Sequence, residues 1–97
     1  MGSYALTVEA DEDIQGIAEY SLQQWGLARA ETYILGLHEA FRRLADFPDM
    51  GRDASHIRAG YWRMDSLSHA VFYTKSDAGV LIVRVLHQRM DFGRHLR

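Results

Sequence analysis

Val80-Leu-Ile-Val-Arg-Val-Leu-His87 is the stretch on which the fold turns. Its β-branched side chains are apolar on both faces, the pattern of a strand buried on two sides and therefore central in a sheet. Ser76-Asp77-Ala78-Gly79 precedes it as a hairpin turn, which makes His69-Ala-Val-Phe-Tyr-Thr-Lys75 the strand before it. Upstream, Gly60-Tyr-Trp-Arg-Met64 is strand-like as well, whereas Asp49 to His56 reads as irregular. At the other end of the chain, Tyr4-Ala-Leu-Thr-Val8 alternates large apolar and smaller residues with the period of a half-buried strand.

Two helices fill the space between these strands. Glu9, Asp11, Glu12 and Asp13 place carboxylates at the start of the first, where they favour the positive end of the helix dipole. Its apolar arc is Ile14, Ile17, Ala18, Leu22 and Trp25, and Gly26 is its stop. The second follows at once, with Leu27, Ala30, Tyr33, Ile34, Leu37, Phe41 and Leu44 on one face. Glu39 with Arg43 and Arg42 with Asp46 are four apart on the opposite, solvated face. So short a junction predicts an antiparallel helical hairpin, ended by Phe47-Pro48-Asp49-Met50-Gly51. The expected architecture is α+β, ordered β-α-α-β-β-β(-β), with the hairpin packed on one side of a mainly antiparallel sheet.

At 97 residues the chain predicts one domain over 1–97, and 47% hydrophobic with 25% charged residues excludes a disordered or fibrous class. The absence of cysteine removes disulfides, thiolate metal sites and thiol nucleophiles, and fits the cytoplasm. No apolar run approaches the roughly 20 residues of a membrane helix. Charge is uneven: residues 1–49 hold nine acids and three bases, whereas 50–97 hold four acids and eight bases. Ten of the eleven cations are arginine, a planar fork suited to carboxylate or phosphate.

The motifs add a family likeness. Tyr4-x-Leu6-Thr7-x-x-Ala10-x-x-Asp13-Ile14-x-x-Ile17-x-x-Tyr20 with Trp25-Gly26 resembles the amino-terminal half of ParE toxins, of the RelE/ParE superfamily. Phe47-Pro48-x-x-Gly51-Arg52, Gly60-Tyr61-x-Arg63, His69-x-Val71-Phe72-Tyr73 and Ile82 through Asp91 resemble the second half, in order and spacing. The resemblance covers nearly the whole chain. It implies a RelE/ParE-like fold and a type II toxin that inhibits DNA gyrase and replication, stabilising plasmids by growth arrest. It further implies neutralisation by a ParD-like antitoxin, with DNA contacted only through the antitoxin complex.

The RelE branch of the superfamily, which cleaves mRNA on the ribosome, is the alternative. Arg63, His69, Arg84, His87, Arg89 and His95 would supply proton transfer and charge stabilisation if they converged. The tail, however, has no tyrosine, which favours an inhibitor over an endoribonuclease. His87, Asp91 and His95 are four apart, yet His87 ends a strand and Gly93 interrupts any helix, so no metal is expected. Phosphate-loop, dinucleotide and nucleophile-elbow signatures are missing, and no cofactor is expected. Arg84, inside an apolar strand, calls for a partner such as Asp65, Asp91 or a backbone carbonyl. Met64 and Met90 read as core fillers.

Two groups of residues emerge as candidate contact sites. Tyr20, Trp25, Tyr33, Tyr61 and Trp62 are the large aromatics expected to anchor an antitoxin helix or extended segment. Arg63, Arg84, His87, Arg89 and Arg94 are the candidates for toxicity and target binding, with Arg89 and Arg94 expected near Arg63 and Phe92 tethering the tail.

Overall fold

The computed structural model describes residues 2–96. Five strands, β1 (Ser3–Leu6), β2 (Arg52–Asp53), β3 (Trp62–Ser66), β4 (His69–Ser76) and β5 (Gly79–His87), form one sheet in the order β1-β5-β4-β3-β2. Helices α1 (Val8–Trp25) and α2 (Leu27–Asp46) form the hairpin, and a four-residue helix α3 (Phe92–His95) closes the chain. As its two apolar faces require, β5 is central: it pairs parallel with β1 and antiparallel with β4, and β3 and β2 continue antiparallel. Among the described residues no helix is long and apolar enough to cross a membrane.

Thr7 fixes the first corner. Its hydroxyl oxygen accepts the Ala10 N–H (3.0 Å), capping α1, and its proton goes to the carbonyl of Val83 (2.9 Å) on β5. At Gly26 the backbone takes φ 84°, a conformation costly for side-chain-bearing residues, and this lets α2 start immediately after α1 ends. Gly79 is constrained more sharply, because a Cβ there would run into the Ser3 carbonyl and φ is 148°. The close approach of β1 to β5 therefore depends on glycine.

The sheet has two covered faces. Ala10, Ile14, Leu37, Phe41 and Leu44 of the hairpin pack on Val71, Tyr73, Val80, Ile82 and Val85. On the opposite face Ala70, Phe72, Val83 and Leu86 are covered by Ala54, Tyr61, Phe92 and Leu96, contributed by the loop before β3 and by the tail. A bulge in β5 makes both possible: Phe72 pairs with Arg84 but Tyr73 with Ile82, so Val83 is an extra residue. Ile82 and Val85, three apart, thereby face the same side, which a regular strand forbids.

Four expectations shift. The buried stripe of α1 is Ala10, Ile14 and Ser21, while Leu22 and Trp25, assigned to the inward arc, are 49% and 42% exposed. Leu22 lines a groove between the two helices and Trp25 lines a cavity beside the end of β5, and both are open to solvent. On α2, Arg42 pairs with Glu39 one helical turn back (3.5 Å), in place of Asp46. Arg84 reaches neither Asp65 nor Asp91: its carboxylate partner is Asp13, on α1, while the backbone carbonyl also expected of it is that of His95. The Asp49 to His56 segment, expected as irregular, contains the short strand β2, aligned by pairing of Arg52 with Arg63 and of Asp53 with Trp62.

Candidate functional site

Past Ile82 the outer edge of β5 has no strand beside it, because β1 ends at Leu6 and the chain turns into α1. Side chains of the hairpin take over the ladder's role. Asp13 accepts the Val85 N–H (2.9 Å) and, through both carboxylate oxygens, Nε and Nη2 of Arg84 (2.8 and 2.9 Å). The remaining arm of Arg84 donates to the carbonyl of His95 (2.9 Å), tying the tail to the sheet. Hydrogen bonding to Asp13 raises the Arg84 pKa above its ordinary value against the opposing effect of burial, so the guanidinium keeps its charge.

Beside this knot opens a cavity of about 500 Å³ between the far end of the hairpin, the end of β5 and the tail. Tyr20, Trp25 and Tyr33 form one wall as a chain of tilted rings, with centroids 6.3 and 6.1 Å apart. Tyr33 meets His69 (5.5 Å), and His69 meets His87 edge to face (5.4 Å), on adjacent paired positions of β4 and β5. The Tyr33 hydroxyl lies 2.6 Å from His69 Nδ1 and accepts the Ser68 N–H at 3.3 Å. Burial, followed by the neighbouring His87, pushes the His69 pKa down to about 4, so this imidazole is neutral near pH 7. Met90 also lines this cavity and is 44% exposed, so it is not a core filler, whereas Met64 packs against the hairpin core.

The remaining candidates lie elsewhere. Tyr61 packs beneath the tail, on the face away from the hairpin, and Trp62 packs against the hairpin core with Lys75 over its ring (3.5 Å). Arg63 is paired with Asp65 (2.7 Å) and its guanidinium covers the Phe92 ring at 4.8 Å. Phe92 itself packs edge to face on Phe72 (5.1 Å), so it does anchor the tail, as the sequence suggests. Arg89 and Arg94 are exposed on either side of Phe92; Arg97 lies outside the described residues. Of the five cationic candidates the cavity brings together only Arg84 and His87, and His69 and His95 join them there. Among the described residues no cluster of three or more His, Asp or Glu could hold a metal ion.

Asp13 and Tyr73 stand in the family motifs, but the sequence assigns neither a partner nor a site. Asp13 looks like one more acid at a helix start, and its partner is 71 residues away. Tyr73 looks like a strand aromatic, yet its hydroxyl donates to the Pro48 carbonyl (2.7 Å) and accepts the Gly51 N–H (3.1 Å), fixing the turn that leads into β2. No local spacing announces either contact.

Comparison with known proteins points one way. The model of the family described as "ParE toxin of type II toxin-antitoxin system, parDE" matches residues 4–92. The chain is 41% identical to Toxin ParE1 of Caulobacter vibrioides over 99% of both chains. It is 36% identical to Toxin ParE of Escherichia coli, over 94% of this chain and 89% of that one. Among solved structures, one described as "Chromosomal ParDE TA system from P. aeruginosa" superposes with a TM-score of 0.75 at 16% identity, covering 90% and 96% of the two chains. One described as "YoeB-YefM complex from Staphylococcus aureus" gives 0.59 at 15% identity, covering 91% and 98%. These two likenesses are of fold.

Proposed function

The chain belongs to the ParE family of toxins of type II toxin–antitoxin systems, and from that premise we propose that it arrests growth by inhibiting DNA gyrase and is neutralised by a ParD-like antitoxin docked across its hairpin. The observation that carries the docking is the outer groove of the hairpin. Leu22 of α1 with Leu27 and Leu35 of α2 are 49%, 64% and 63% exposed around a trough of about 480 Å³ floored by Ala18, Ala30 and Ile34. A contiguous apolar trough on so small a chain is the surface that a partner covers. Its shape suits the apolar face of an amphipathic helix. The ring wall of Tyr20, Trp25 and Tyr33 continues from the same end of the hairpin and extends the docking path.

Target inhibition is assigned to the tail. Exposed Arg89 and Arg94 are free to meet an acidic protein surface or phosphates, while Arg63 and Arg84 hold the tail that carries them. Any contact with DNA is made through the antitoxin complex, and the whole chain 1–97 acts as one toxin domain in the cytoplasm.

The test is induction of the toxin in cells and with purified gyrase. Early arrest of DNA synthesis, inhibited supercoiling and relief by the antitoxin are expected. Early translation arrest with cleaved transcripts would replace this reading with ribosome-dependent mRNA cleavage.

A further inference from the structure

Three layers of the molecule meet at one guanidinium. β5 has the hairpin on one face and the tail on the other, and Arg84 stands on the stretch whose outer edge no strand covers. There it passes from layer to layer. The fork of Nε and Nη2 is taken by both oxygens of Asp13 on α1, and Nη1 donates to the His95 carbonyl of the tail (2.9 Å). Asp13 is itself fixed by the Val85 N–H, a backbone group of the central strand (2.9 Å). A carboxylate tethered in this way, gripping a planar fork with both oxygens, leaves the guanidinium little freedom to turn. The third arm is therefore aimed.

Its aim is the end of α3. Carbonyls in the last turn of a helix have no partner within the helix, and that of His95 finds Arg84. Phe92 and Leu96, four apart, put one side of this turn on the sheet, against Phe72 and into the second core. Arg94, midway between them, lies about 200° round the helix from Phe92 and is exposed on the opposite side. Apolar contacts are non-directional and allow so short a turn to slide or lift. The hydrogen bond from Arg84 is directional, and it fixes the end of the turn next to Arg94.

We propose that Asp13 is a positioning residue of the toxin, acting through Arg84 to hold the tail in the pose that presents Arg94 to the target. The inference rests on the reading that Arg89 and Arg94 contact the target, and adds that the contact requires a closed tail. A target that binds only the closed tail sees its affinity reduced by the fraction of molecules in that pose. Loss of the clamp should therefore raise the dose of toxin required and leave its ceiling unchanged.

Asp13→Ala with Arg84→Met, in the full-length toxin, removes the clamp without stranding a charge. Growth arrest under graded induction, with the toxin level measured, gives dose and ceiling in cells, and supercoiling by purified gyrase gives them in vitro. The half-maximal dose should rise about tenfold with complete arrest at saturation, and amides of residues 92–96 should exchange at least about tenfold faster, with antitoxin affinity unchanged. A purely structural pair would lower antitoxin affinity and the ceiling together as the folded fraction falls. That result overturns the proposal, as does a wild-type dose. Should the double variant not fold, Asp13→Asn supplies the measurement, since it keeps the size of the side chain but turns an amide N–H2 toward one donor of the fork. A dose shift of about threefold to tenfold is expected there, and an unchanged dose or unchanged tail exchange overturns the proposal. Arg89→Ala with Arg94→Ala separates the inference from the reading beneath it. Full toxicity in that variant removes the tail as the target contact, and the positioning role with it. Lost toxicity there, beside a wild-type dose in the clamp variants, removes the positioning role alone. A toxin that spares gyrase yet arrests growth sinks the gyrase reading, and the dose in cells still decides the role of Asp13.

Discussion

Arg84 and Asp13 concentrate more of the structure than any other pair. The contact joins α1, β5 and the tail, and both side chains are largely withdrawn from water, at 22% and 14% exposure. Removing one partner strands the other: Asp13→Ala leaves a half-buried guanidinium and the Val85 N–H without an acceptor. A loss of about 1–3 kcal/mol in urea denaturation is expected. Asp13→Ala combined with Arg84→Met should cost less than the sum of the single changes, because no charge is left unpaired. His69 gives a pH signature. Its native pKa near 4 lies below the ordinary 6.5, so the folded state resists a proton that the unfolded chain accepts. The contribution is fully present above pH 6.5 and is lost as pH falls from there toward 4. His69→Phe should flatten that part of the stability profile, measured by denaturation at stepped pH; an unchanged profile would remove His69 as its source. At Tyr73, substitution by Phe leaves the Pro48 carbonyl and Gly51 N–H without their partner, and about 1–2 kcal/mol of stability should go with it.

At the scale of elements, the hairpin and the tail are opposites. The hairpin is anchored along one face by Leu37, Phe41 and Leu44 and leaves its outer groove open. Leu22→Ser with Leu35→Ser should therefore abolish co-purification with the antitoxin while changing the midpoint of thermal unfolding little, since these positions are already in water. Retained co-purification would move the docking site off the groove. The tail is a single short turn held by Phe92 on Phe72, Leu96 in the second core and the Arg84 contact with His95. Few contacts for its length make it the part expected to open first. Phe92→Ala should raise amide exchange across residues 91–96 and on Phe72 before it affects the hairpin, and uniform exchange instead would show the tail to unfold only with the rest.

For the whole molecule, the proposed docking groove, rimmed by Leu22, Leu27 and Leu35, and the exposed Arg89 and Arg94 of the tail are different residues of the surface, so neutralisation and toxicity are separable by mutation. Arg89→Ala with Arg94→Ala is expected to abolish growth arrest with stability and antitoxin binding unchanged, as both side chains are exposed; full toxicity in this variant would exclude them as target contacts. Much of this architecture is carried by the sequence alone. The apolar run of β5 declared a central strand, the three- and four-residue spacing declared two helices, and the motifs from Tyr4 to Asp91 declared the family. Those are local or ordered signals, because burial on a sheet or helix face imposes a period on the chain. What only the tertiary structure decided is non-local. The bulge at Val83 turns Ile82 and Val85 to one side, Asp13 meets Arg84 across 71 residues, and Leu22 and Trp25 stay open to solvent in a groove and a cavity. Periodicity says which residues share a face, but how far the opposing layer extends, and which buried charge meets which, depends on three-dimensional closure. The cavity walled by Tyr20, Trp25, Tyr33, His69 and His87 belongs to that second kind, since its residues come from four elements with no spacing in common.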